Sequence, residues 1–303
     1  MADSRQFTDT TDFYSIDYGD KILIGGKCYI VKGFARETRF GIEDPKFWVK
    51  RVVDSTTGER KIIKLMFLES YETSIGGVNI RCFRNPAKEG KILELVKNHA
   101  SFMQGEAFLD SKSNIVRVLN VVRGPNFFNY IDHYKLKYED YFQQILPEII
   151  KKLITAFEAI SFLHINGYKH GDIRNDHLIV NREKNNYVWI DFDYDYEATE
   201  NPFGLDVFGL GNILIYAIGK GFHNLHTISN DRQLYGGLIN RIGPDDFSLL
   251  EKRRFINLRK LFPIIPRILN DILMHFSQGT HVYYEFVEEL IEDLNQCRYS
   301  IFN

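Results

Sequence analysis

Short apolar runs and polar turns alternate through the first part of the chain, between positions 21 and 67. This pattern is typical of strands, because side chains along a strand point alternately to the two faces of a sheet. A hairpin turn is indicated at 56–59, Thr-Thr-Gly-Glu. Two further apolar runs, joined by a turn at 123–126, follow a helical segment. The sequence therefore predicts strands at 22–24, 28–31, 47–49, 62–65, 114–122 and 127–131.

Apolar residues recur at helix spacing in other parts of the chain. The segment 87–100 is preceded by Asn85-Pro86, a helix-start signal, because proline is favoured in the first turn of a helix. A long amphipathic helix is indicated over 147–163. The residues 222–303 also have a mostly helical pattern. The chain is therefore expected to be an α+β protein, rich in strands at first and then mostly helical.

A polar loop followed by a hairpin is indicated between positions 163 and 193. Asp172 lies in the polar loop, before a short apolar run at 178–180. A polar turn leads to a second run at 187–190, and Asp191 follows it. Antiparallel pairing of the two runs would bring the residues at the open end of the hairpin together. Two carboxylates held there form a place to bind a divalent cation and to orient a proton acceptor.

The motifs at the ends of this hairpin resemble the catalytic core of the protein-kinase-like fold. His-Gly-Asp at 170–172 is similar to the family's His-x-Asp catalytic loop, and Asp-Phe-Asp at 191–193 is similar to its metal-binding Asp-Phe-Gly. The separation of 19 residues, 191 minus 172, suits the hairpin that joins the two motifs in that family. The resemblance covers about residues 20–295.

The resemblance implies an α+β, two-lobed protein-kinase-like fold. A small antiparallel β lobe with one main helix would span residues 16–132 and bind the nucleotide. A larger, mostly α-helical lobe would span 133–303 and supply the catalytic loop. The polar residues 1–15 are expected to form a loosely ordered, flexible tail.

Lys64 and Glu89 match the family's nucleotide-binding pair. Lys64 ends an apolar-x-Lys strand, which is the position of the phosphate-contacting lysine in the family. Glu89 begins a Glu-x-x-Ile-Leu pattern on the helix 87–100, and its ion pair with Lys64 would hold the lysine against the α and β phosphates of ATP. Glu94 is the rival, but it lies nearly half a turn away around the helix, so the two do not both face inward.

The same resemblance implies roles in phosphoryl transfer from ATP, with Mg²⁺ as the metal. Asp172 would accept or orient the proton of an acceptor hydroxyl. Arg174, two residues further on, would offset charge on the transferring phosphoryl group. Asp191 would ligate the metal, and Asp193 would be an additional metal neighbour.

Four departures from the family pattern bear on function, and the first is His177. It stands five residues after Asp172, where the family has a metal-binding Asn. Mg²⁺ prefers oxygen ligands, and imidazole is a poor substitute. Three alternatives therefore stay open: a second metal is lost, Mn²⁺ is favoured with His177 as a ligand, or Asn175 or Asp176 takes over.

The second departure is a phosphate loop with few glycines. Ile-Glu-Asp-Pro-Lys-Phe-Trp at 42–48 stands where a glycine-rich loop is expected, and Gly41 is one of two glycines between positions 31 and 49. Glycines let backbone N–H groups approach phosphate, so Gly41 is the candidate for that contact. The acidic residues of 42–48 would repel a nucleotide, and Lys46 would compensate. Weak ATP affinity, or a loop that folds away, is expected.

The remaining departures concern regulation and the acceptor. Gly171 replaces an Arg that in the family pairs with a phosphorylated activation loop, so control by that route is not expected. Only 14 residues separate Asp191 from Asp206 (206 − 191 − 1), without an Ala-Pro-Glu-like segment, which suggests an unusual acceptor. Asp206 begins an Asp-x-x-x-Leu-Gly pattern. In the family this Asp accepts hydrogen bonds from the catalytic loop, and as an alternative it would cap a helix.

Composition and charge exclude some classes of function. The net charge is −2 in 303 residues, so no basic field attracts nucleic acid or an acidic membrane. No run of 18 apolar residues and no apolar signal core at the N-terminus are present. Three widely separated cysteines, Cys28, Cys82 and Cys297, are expected to be free thiols in a reducing cytosol. A cytoplasmic enzyme with access to ATP is expected.

Three functions remain as alternatives. The first is a divergent Ser/Thr protein kinase, favoured by the pattern that begins at Asp206. The second is a small-molecule kinase similar to the aminoglycoside or choline phosphotransferases, whose motifs are closer to His-Gly-Asp and Asp-x-Asp. The third is a non-catalytic pseudokinase that binds partners, favoured by His177 and by the phosphate loop. The acceptor is accordingly a protein or a small molecule with a hydroxyl group.

Overall fold

The structure is a computed structural model that describes residues 4–39, 42–75, 78–197 and 201–301. The strands are β1 (Gln6–Phe7), β2 (Lys21–Ile24), β3 (Lys27–Arg39), β4 (Ile42–Asp54), β5 (Arg60–Lys64), β6 (Ser70–Ile75), β7 (Val78–Arg84), β8 (Gly105–Leu109), β9 (Ile115–Asn120), β10 (Leu178–Asn181), β11 (Asn186–Trp189), β12 (Tyr194–Glu197), β13 (His223–Asn224) and β14 (Arg254–Phe255). The helices are α1 (Pro86–Leu95), α2 (Phe127–Asp132), α3 (Tyr138–Gln144), α4 (Leu146–Ile165), α5 (Gly204–Gly219), α6 (Leu225–Asn230), α7 (Arg232–Tyr235), α8 (Arg267–Met274) and α9 (Val287–Ile301). The fold is mixed α+β.

The chain divides into two compact units, Met1–Ser70 with Phe83–Val122 and Tyr71–Cys82 with Arg123–Asn303. These bounds assign 71–82 and 123–132 to the second unit, whereas the sequence analysis included both segments in the lobe 16–132. The nucleotide-binding and catalytic assignments of the lobes stay predictions.

A seven-stranded sheet dominates the described part of the first unit, in the order β1-β2-β3-β4-β5-β9-β8. The pairing is antiparallel except between β1 and β2. Apolar side chains of neighbouring strands form its core, and Ile22, Val31, Ile63 and Val116 are fully buried there. The helix α1 packs against β8 and β9.

The expected phosphate loop is a strand over its described length. Residues 42–48 belong to β4, and Lys46 pairs with Ala35 across a long hairpin with β3. Gly33 has φ of +117° and lies where the register shifts between Val31 and Phe34. A glycine permits this conformation because it has no Cβ. Pairing with β3 extends over residues 42–46, so the described part of 42–48 is regular strand.

The N-terminal residues are packed on the sheet, and residues 4–15 are not the loosely ordered tail expected from their polar composition. Arg5 forms an ion pair with Asp20 at 2.6 Å. The backbone N–H and the hydroxyl of Thr10 both donate to Asp110 Oδ2 at 2.7 Å. Phe13 is buried in the core of the sheet. Long-range hydrogen bonds and one buried aromatic side chain therefore hold this segment in place despite its polar composition.

The segment 127–131 is a helix and not the predicted strand. Asn126 caps α2 by accepting a hydrogen bond from the backbone N–H of Asn129 at 2.9 Å. Asparagine is a strong N-cap, and this capping favours a helix over the extended chain. Phe127 and Ile131, four residues apart, are both fully buried on one face of the helix.

A hairpin that the sequence analysis did not predict follows β5 and precedes α1 in the chain. It consists of β6 and β7, and β7 pairs with β12 to form a second sheet in the order β12-β7-β6. Ile80, Cys82 and Tyr196 form a small apolar core beside this sheet. The segment that follows Asp191 is therefore strand-paired within the second unit.

Helices form the larger part of the second unit. The long helix α4 packs against α3, α5 and α9. Trp189 at the end of β11 is fully buried, and its indole N–H donates to the Ala156 carbonyl on α4 at 2.8 Å. This contact anchors the hairpin β10–β11 to α4. Among the described residues, none of the helices combines the length and apolar character that crossing a membrane requires.

We expect Asp110→Asn to destabilise the protein, because Asp110 anchors the N-terminal segment. Burial opposes ionisation of Asp110, but hydrogen bonds from Asn114 and Thr10 outweigh it and lower its pKa to about 2 from 3.8. The loss of charged hydrogen bonds should lower the free energy of unfolding by roughly 1–3 kcal/mol at neutral pH. Urea unfolding of the two proteins measures this difference.

The stabilisation that Asp110 provides should depend on pH in a definite direction. Since the folded-state pKa of Asp110 lies below its ordinary value, the stabilisation is complete above about pH 4 and is lost as the pH falls through about 2. The difference between wild type and Asp110→Asn should shrink over that interval. Asp140→Asn, at an exposed position on α3, is the control. If the difference in free energy of unfolding between wild type and Asp110→Asn did not change with pH, the lowered pKa assigned to Asp110 would be contradicted.

Candidate functional site

In the first unit, Lys64 and Glu89 form a buried ion pair. The Lys64 Nζ lies 2.8 Å from Glu89 Oε1, and their side chains are 5% and 0% exposed. Lys64 ends β5 and Glu89 lies in the first turn of α1, so the pair joins the sheet to the helix. The rival Glu94 is exposed. The structure therefore contains the pairing that the sequence predicts, and its role towards ATP stays a prediction.

Arg117 on β9 is a partner of Glu89 that the sequence analysis missed. Its Nε donates to Glu89 Oε2 at 3.0 Å, and its side chain is 1% exposed. The signal was a lone cation inside the apolar run Ile-Val-Arg-Val-Leu. A charged residue within a buried strand requires a partner, because an unpaired buried charge is costly. Sequence alone did not identify that partner as Glu89.

Lys46 and Gly41 were the candidates for further phosphate contacts. Lys46 Nζ lies 2.6 Å from Asp44 Oδ2 and 3.2 Å from Glu37 Oε2. These neighbouring carboxylates offset its charge, so Lys46 compensates for local acidic residues and its charge is not freely available to a nucleotide. Gly41 lies outside the described residues.

In the second unit, the hairpin β10–β11 brings Asp172 and Asp191 to the same imidazole. Leu178 pairs with Trp189, and the backbone N–H of Ile190 donates to the His177 carbonyl at 3.0 Å. His177 Nδ1 lies 3.4 Å from Asp172 Oδ2, and His177 Nε2 lies 3.6 Å from Asp191 Oδ2. The two carboxylates therefore lie on opposite sides of one ring.

The hydrogen bond to the Asp172 backbone fixes the tautomer of His177. Nδ1 lies 2.9 Å from the Asp172 carbonyl oxygen, which can only accept a hydrogen bond, so Nδ1 carries a proton.

Burial lowers the pKa of His177, but the Asp172 and Asp191 carboxylates outweigh burial and raise the pKa overall. Burial raises the pKa of Asp172, while His177 and Arg174 partly oppose this rise. An Asp172 pKa above its ordinary value suits a proton acceptor.

Asp191 has an unusual backbone conformation. Its φ is +63°, in the left-handed region that non-glycine residues seldom occupy. Such strain occurs often at functional sites, where the surrounding structure holds it in place. The side chain of Asp191 is 36% exposed, whereas Asp193 is 1% exposed. Of these two candidate metal ligands, Asp191 has the carboxylate with access to solvent.

Arg174 is held by a carboxylate of its own turn. Its Nε donates to Asp176 Oδ1 at 3.0 Å, and its Nη2 donates to Asp176 Oδ2, so the ion pair is bidentate. Its Nη1 lies 3.9 Å from Asp172 Oδ2. The guanidinium is therefore next to the proposed proton acceptor, with its orientation set by Asp176.

Asp206 fixes the backbone of the predicted catalytic loop. Its Oδ2 accepts a hydrogen bond from the His170 N–H at 2.7 Å, and its Oδ1 accepts one from the Gly171 N–H at 2.9 Å. Phe203 is the N-cap of α5, and Asp206 lies in the first turn of the helix. The loop-binding alternative from the sequence analysis is therefore the one present in the structure. Burial opposes ionisation of Asp206, but the hydrogen bond with His164 contributes most to lowering its pKa overall.

Gly171 is required by a close approach of β12. Its φ is +86°, and a Cβ at this position would lie 1.8 Å from the Tyr194 carbonyl oxygen. Lys169 also contacts this strand, because its Nζ donates to the Tyr196 carbonyl at 2.6 Å. The backbone geometry at position 171 therefore excludes the Arg that the protein-kinase-like family has there. This reason was not visible in the sequence.

The carboxylates fit a magnesium ion bound together with a nucleotide better than a metal held by protein alone. Among the residues that the structure describes, no group of three or more His, Cys, Asp or Glu side chains is arranged to hold a metal. Mg²⁺ is commonly held by one or two carboxylates plus substrate phosphates and water. The partly exposed Asp191 satisfies that requirement.

The two oxygen-bearing alternatives to His177 differ in their surroundings. Asp176 is engaged by Arg174. Asn175 is 3% exposed, and within the described chain its Oδ1 has no hydrogen-bond partner. A buried amide oxygen without a partner costs free energy unless water or a ligand reaches it. Asn175 is therefore the better of the two as an additional oxygen ligand.

Comparisons with known proteins support a kinase-like relationship. No family model matches the chain. It is 26% identical over 167 residues to death-associated protein kinase dapk-1 of Caenorhabditis elegans, a match that covers 53% of this chain and 11% of the relative. It is 26% identical over 135 residues to the probable serine/threonine-protein kinase fnkB of Dictyostelium discoideum, covering 45% of this chain and 24% of that relative. The chain thus spans less than a quarter of either relative.

We expect Gly171→Ala to be much more destabilising than Gly167→Ala. Both glycines have positive φ, but a Cβ at Gly167 would meet no heavy atom within 4 Å. Backbone strain alone should cost about 1–2 kcal/mol at Gly167. The added collision with Tyr194 should bring the cost at Gly171 to roughly 2–5 kcal/mol. Chemical denaturation measures both values, and equal costs would contradict the close approach of β12.

Proposed function

We propose that this chain is an ATP-dependent phosphotransferase, a divergent Ser/Thr protein kinase that moves the γ-phosphoryl group to a hydroxyl acceptor. The observation that carries the proposal is the pair of carboxylates, Asp172 and Asp191, on opposite sides of the His177 ring. The distant similarity to two protein kinases supports the same class. A cytoplasmic location, where ATP is available and the free thiols of the chain stay reduced, is part of the proposal.

Each residue has a defined task in this proposal. Lys64, oriented by Glu89, binds the α and β phosphates. Asp172 orients the acceptor hydroxyl and takes its proton, and Arg174 offsets negative charge beside it. Asp191 holds the metal, with His177 or Asn175 as a further ligand. Mg²⁺, or Mn²⁺, bound there would supply positive charge that stabilises the transferring phosphoryl group.

A small hydroxyl compound is the second candidate acceptor. The strand β12, directly after the Asp191 segment, is already paired with β7 and contacts Gly171. A strand that has a partner on one edge offers less room for an extended peptide. This observation favours a compact acceptor, as in the aminoglycoside or choline phosphotransferases.

A pseudokinase is the third candidate. His177 bridges the two carboxylates through its ring and replaces the family's oxygen ligand. If the imidazole is permanently held by both carboxylates, the metal site is lost and the chain serves as a binding partner only. The buried Lys64–Glu89 pair favours retention of nucleotide chemistry over this alternative.

We expect Asp172→Asn to abolish phosphoryl transfer without unfolding the protein. Loss of a positioned general base typically lowers a rate by about 10²–10⁴-fold. The protein is incubated with ATP labelled on the γ-phosphate, with Mg²⁺ or Mn²⁺, and the transferred label is counted. Asp271→Asn, at an exposed position on α8, is the matched control and should retain the wild-type rate.

The location of the label separates the three candidates. Label on protein side chains, lost in Asp172→Asn, supports a protein kinase. Label transferred only to small hydroxyl compounds supports the second candidate. The absence of label with either metal, together with no thermal shift on addition of nucleotide, supports the pseudokinase and overturns the enzyme.

We expect His177→Asn to shift the metal preference towards Mg²⁺. An imidazole ligand favours Mn²⁺ relative to Mg²⁺, and an amide oxygen restores the ligand type that Mg²⁺ prefers. The ratio of the rates in Mg²⁺ and Mn²⁺ should therefore rise in the variant. Equal ratios for wild type, His177→Asn and His177→Ala would argue against His177 as a ligand.

A further inference from the structure

A cavity lined by cations lies in the second unit, beside the 3₁₀ turn Leu258–Lys260 and the first half of α8. Its volume is about 470 Å³, which is within the range of small-molecule binding sites. Arg259, Lys260 and Arg267 line it, and among the described residues of the lining Asp271 carries the one carboxylate. None of the lining residues belongs to the candidate site described above. The cavity is therefore a separate place for an anion to bind.

The guanidinium of Arg259 has neither an ion-pair nor a hydrogen-bond partner within the part of the chain that the structure describes. The backbone N–H of the same residue donates to Asn270 Oδ1 at 2.9 Å, so its main chain is fixed while its side chain is exposed. An arginine carries five N–H donors in a planar fork, which matches the oxygens of a phosphate group. Arg259 is therefore a ready donor for an external anion.

Lys260 and Arg267 also keep donors for an anion. Lys260 Nζ donates to Asp246 Oδ2 at 2.7 Å and to the Arg241 carbonyl at 3.0 Å, which uses two of its three N–H groups. Arg267 Nε lies 3.4 Å from Asp271 Oδ2, and because both side chains are well exposed, this pair holds the guanidinium weakly. All three cations of the cavity therefore have N–H groups that one ligand can share.

A network of buried hydrogen bonds holds the turn against α8. Asn270 of α8 is 6% exposed, accepts from the Arg259 N–H and donates to Asn257 Oδ1 at 3.0 Å. Asn257 in turn donates to Asp246 Oδ1 at 2.7 Å, and Asp246 is 4% exposed. Side chains carried by a fixed backbone lose less freedom when a ligand binds, which favours affinity. The backbone that presents the cations is therefore preorganised.

We propose that this cavity binds a phosphate group, with Arg259, Lys260 and Arg267 as its donors. A phosphate group has three acceptor oxygens and enough negative charge to engage all three cations, whereas a carboxylate has only two oxygens. Asp271 repels an anion and is not one of its ligands. The phosphate belongs to a free compound such as diphosphate or to a phosphorylated side chain, and the same chemistry recognises both. The inference goes beyond the proposed ATP-dependent function and does not depend on it.

The test is titration calorimetry of the full chain with two probes, inorganic diphosphate and a blocked tripeptide of glycine, phosphoserine and glycine. We expect Arg259→Gln and Arg267→Gln each to weaken binding at least about tenfold, because each removes charge-assisted hydrogen bonds. Both arginines are exposed, so the variants should stay folded, which thermal unfolding checks. Arg182→Gln, at an exposed position between β10 and β11, is the matched control and should change the affinity less than about twofold.

The two probes separate the sources of the phosphate group. Binding of diphosphate alone supports a free phosphate compound, and tighter binding of the phosphorylated tripeptide supports a phosphorylated protein segment. The tripeptide with serine in place of phosphoserine should not bind.

Three results would overturn the inference. The first is that wild type binds neither probe. The second is that Arg259→Gln binds both probes as tightly as wild type, which places the phosphate elsewhere. The third is an equal loss in Arg259→Gln and Arg182→Gln, which is a general effect of charge. If wild type binds diphosphate at two sites, the site lost in Arg259→Gln is the cavity.

Discussion

A carboxylate removed from water must be given hydrogen-bond donors or a counter-charge, and this constraint organises both candidate sites. In the first unit, Glu89 is fully buried and is satisfied by Lys64 and Arg117 from two neighbouring strands. In the second unit, Asp206 is buried and is satisfied by the backbone N–H groups of His170 and Gly171. Each carboxylate fixes the side chain or loop to which the proposed chemistry is assigned.

The departures from the kinase pattern have physical causes that belong together. Gly171 allows the backbone of β12 to approach the loop that contains Asp172, and Lys169 holds the same strand through the Tyr196 carbonyl. β12 in turn pairs with β7 of a hairpin inserted before α1. The loss of the family's Arg and the short segment after Asp191 are thus two aspects of one local arrangement. This arrangement restricts which acceptor can approach the loop.

Several parts of the fold could be predicted because their signals are local. The hairpin β10–β11 follows from two apolar runs around a polar turn, and α4 follows from apolar residues at helix spacing. The pairing of Lys64 with Glu89 followed from a motif resemblance and from the helix geometry that excludes Glu94.

The strand expected at 127–131 was wrong because the Asn126 cap outweighed the apolar run. The expected tail was wrong because Asp110, about a hundred residues away, binds Thr10.

The sequence by itself determined the α+β character, the order of most elements and the chemical identity of the candidate groups, because periodicity and short motifs act over a few residues. Tertiary structure alone decided that Arg117 shares Glu89, that His177 lies between Asp172 and Asp191, and that Gly171 is required. These outcomes depend on strand register and on the close approach of segments far apart in the chain. Burial then sets the strength of each charge interaction, and burial is a property of the folded molecule.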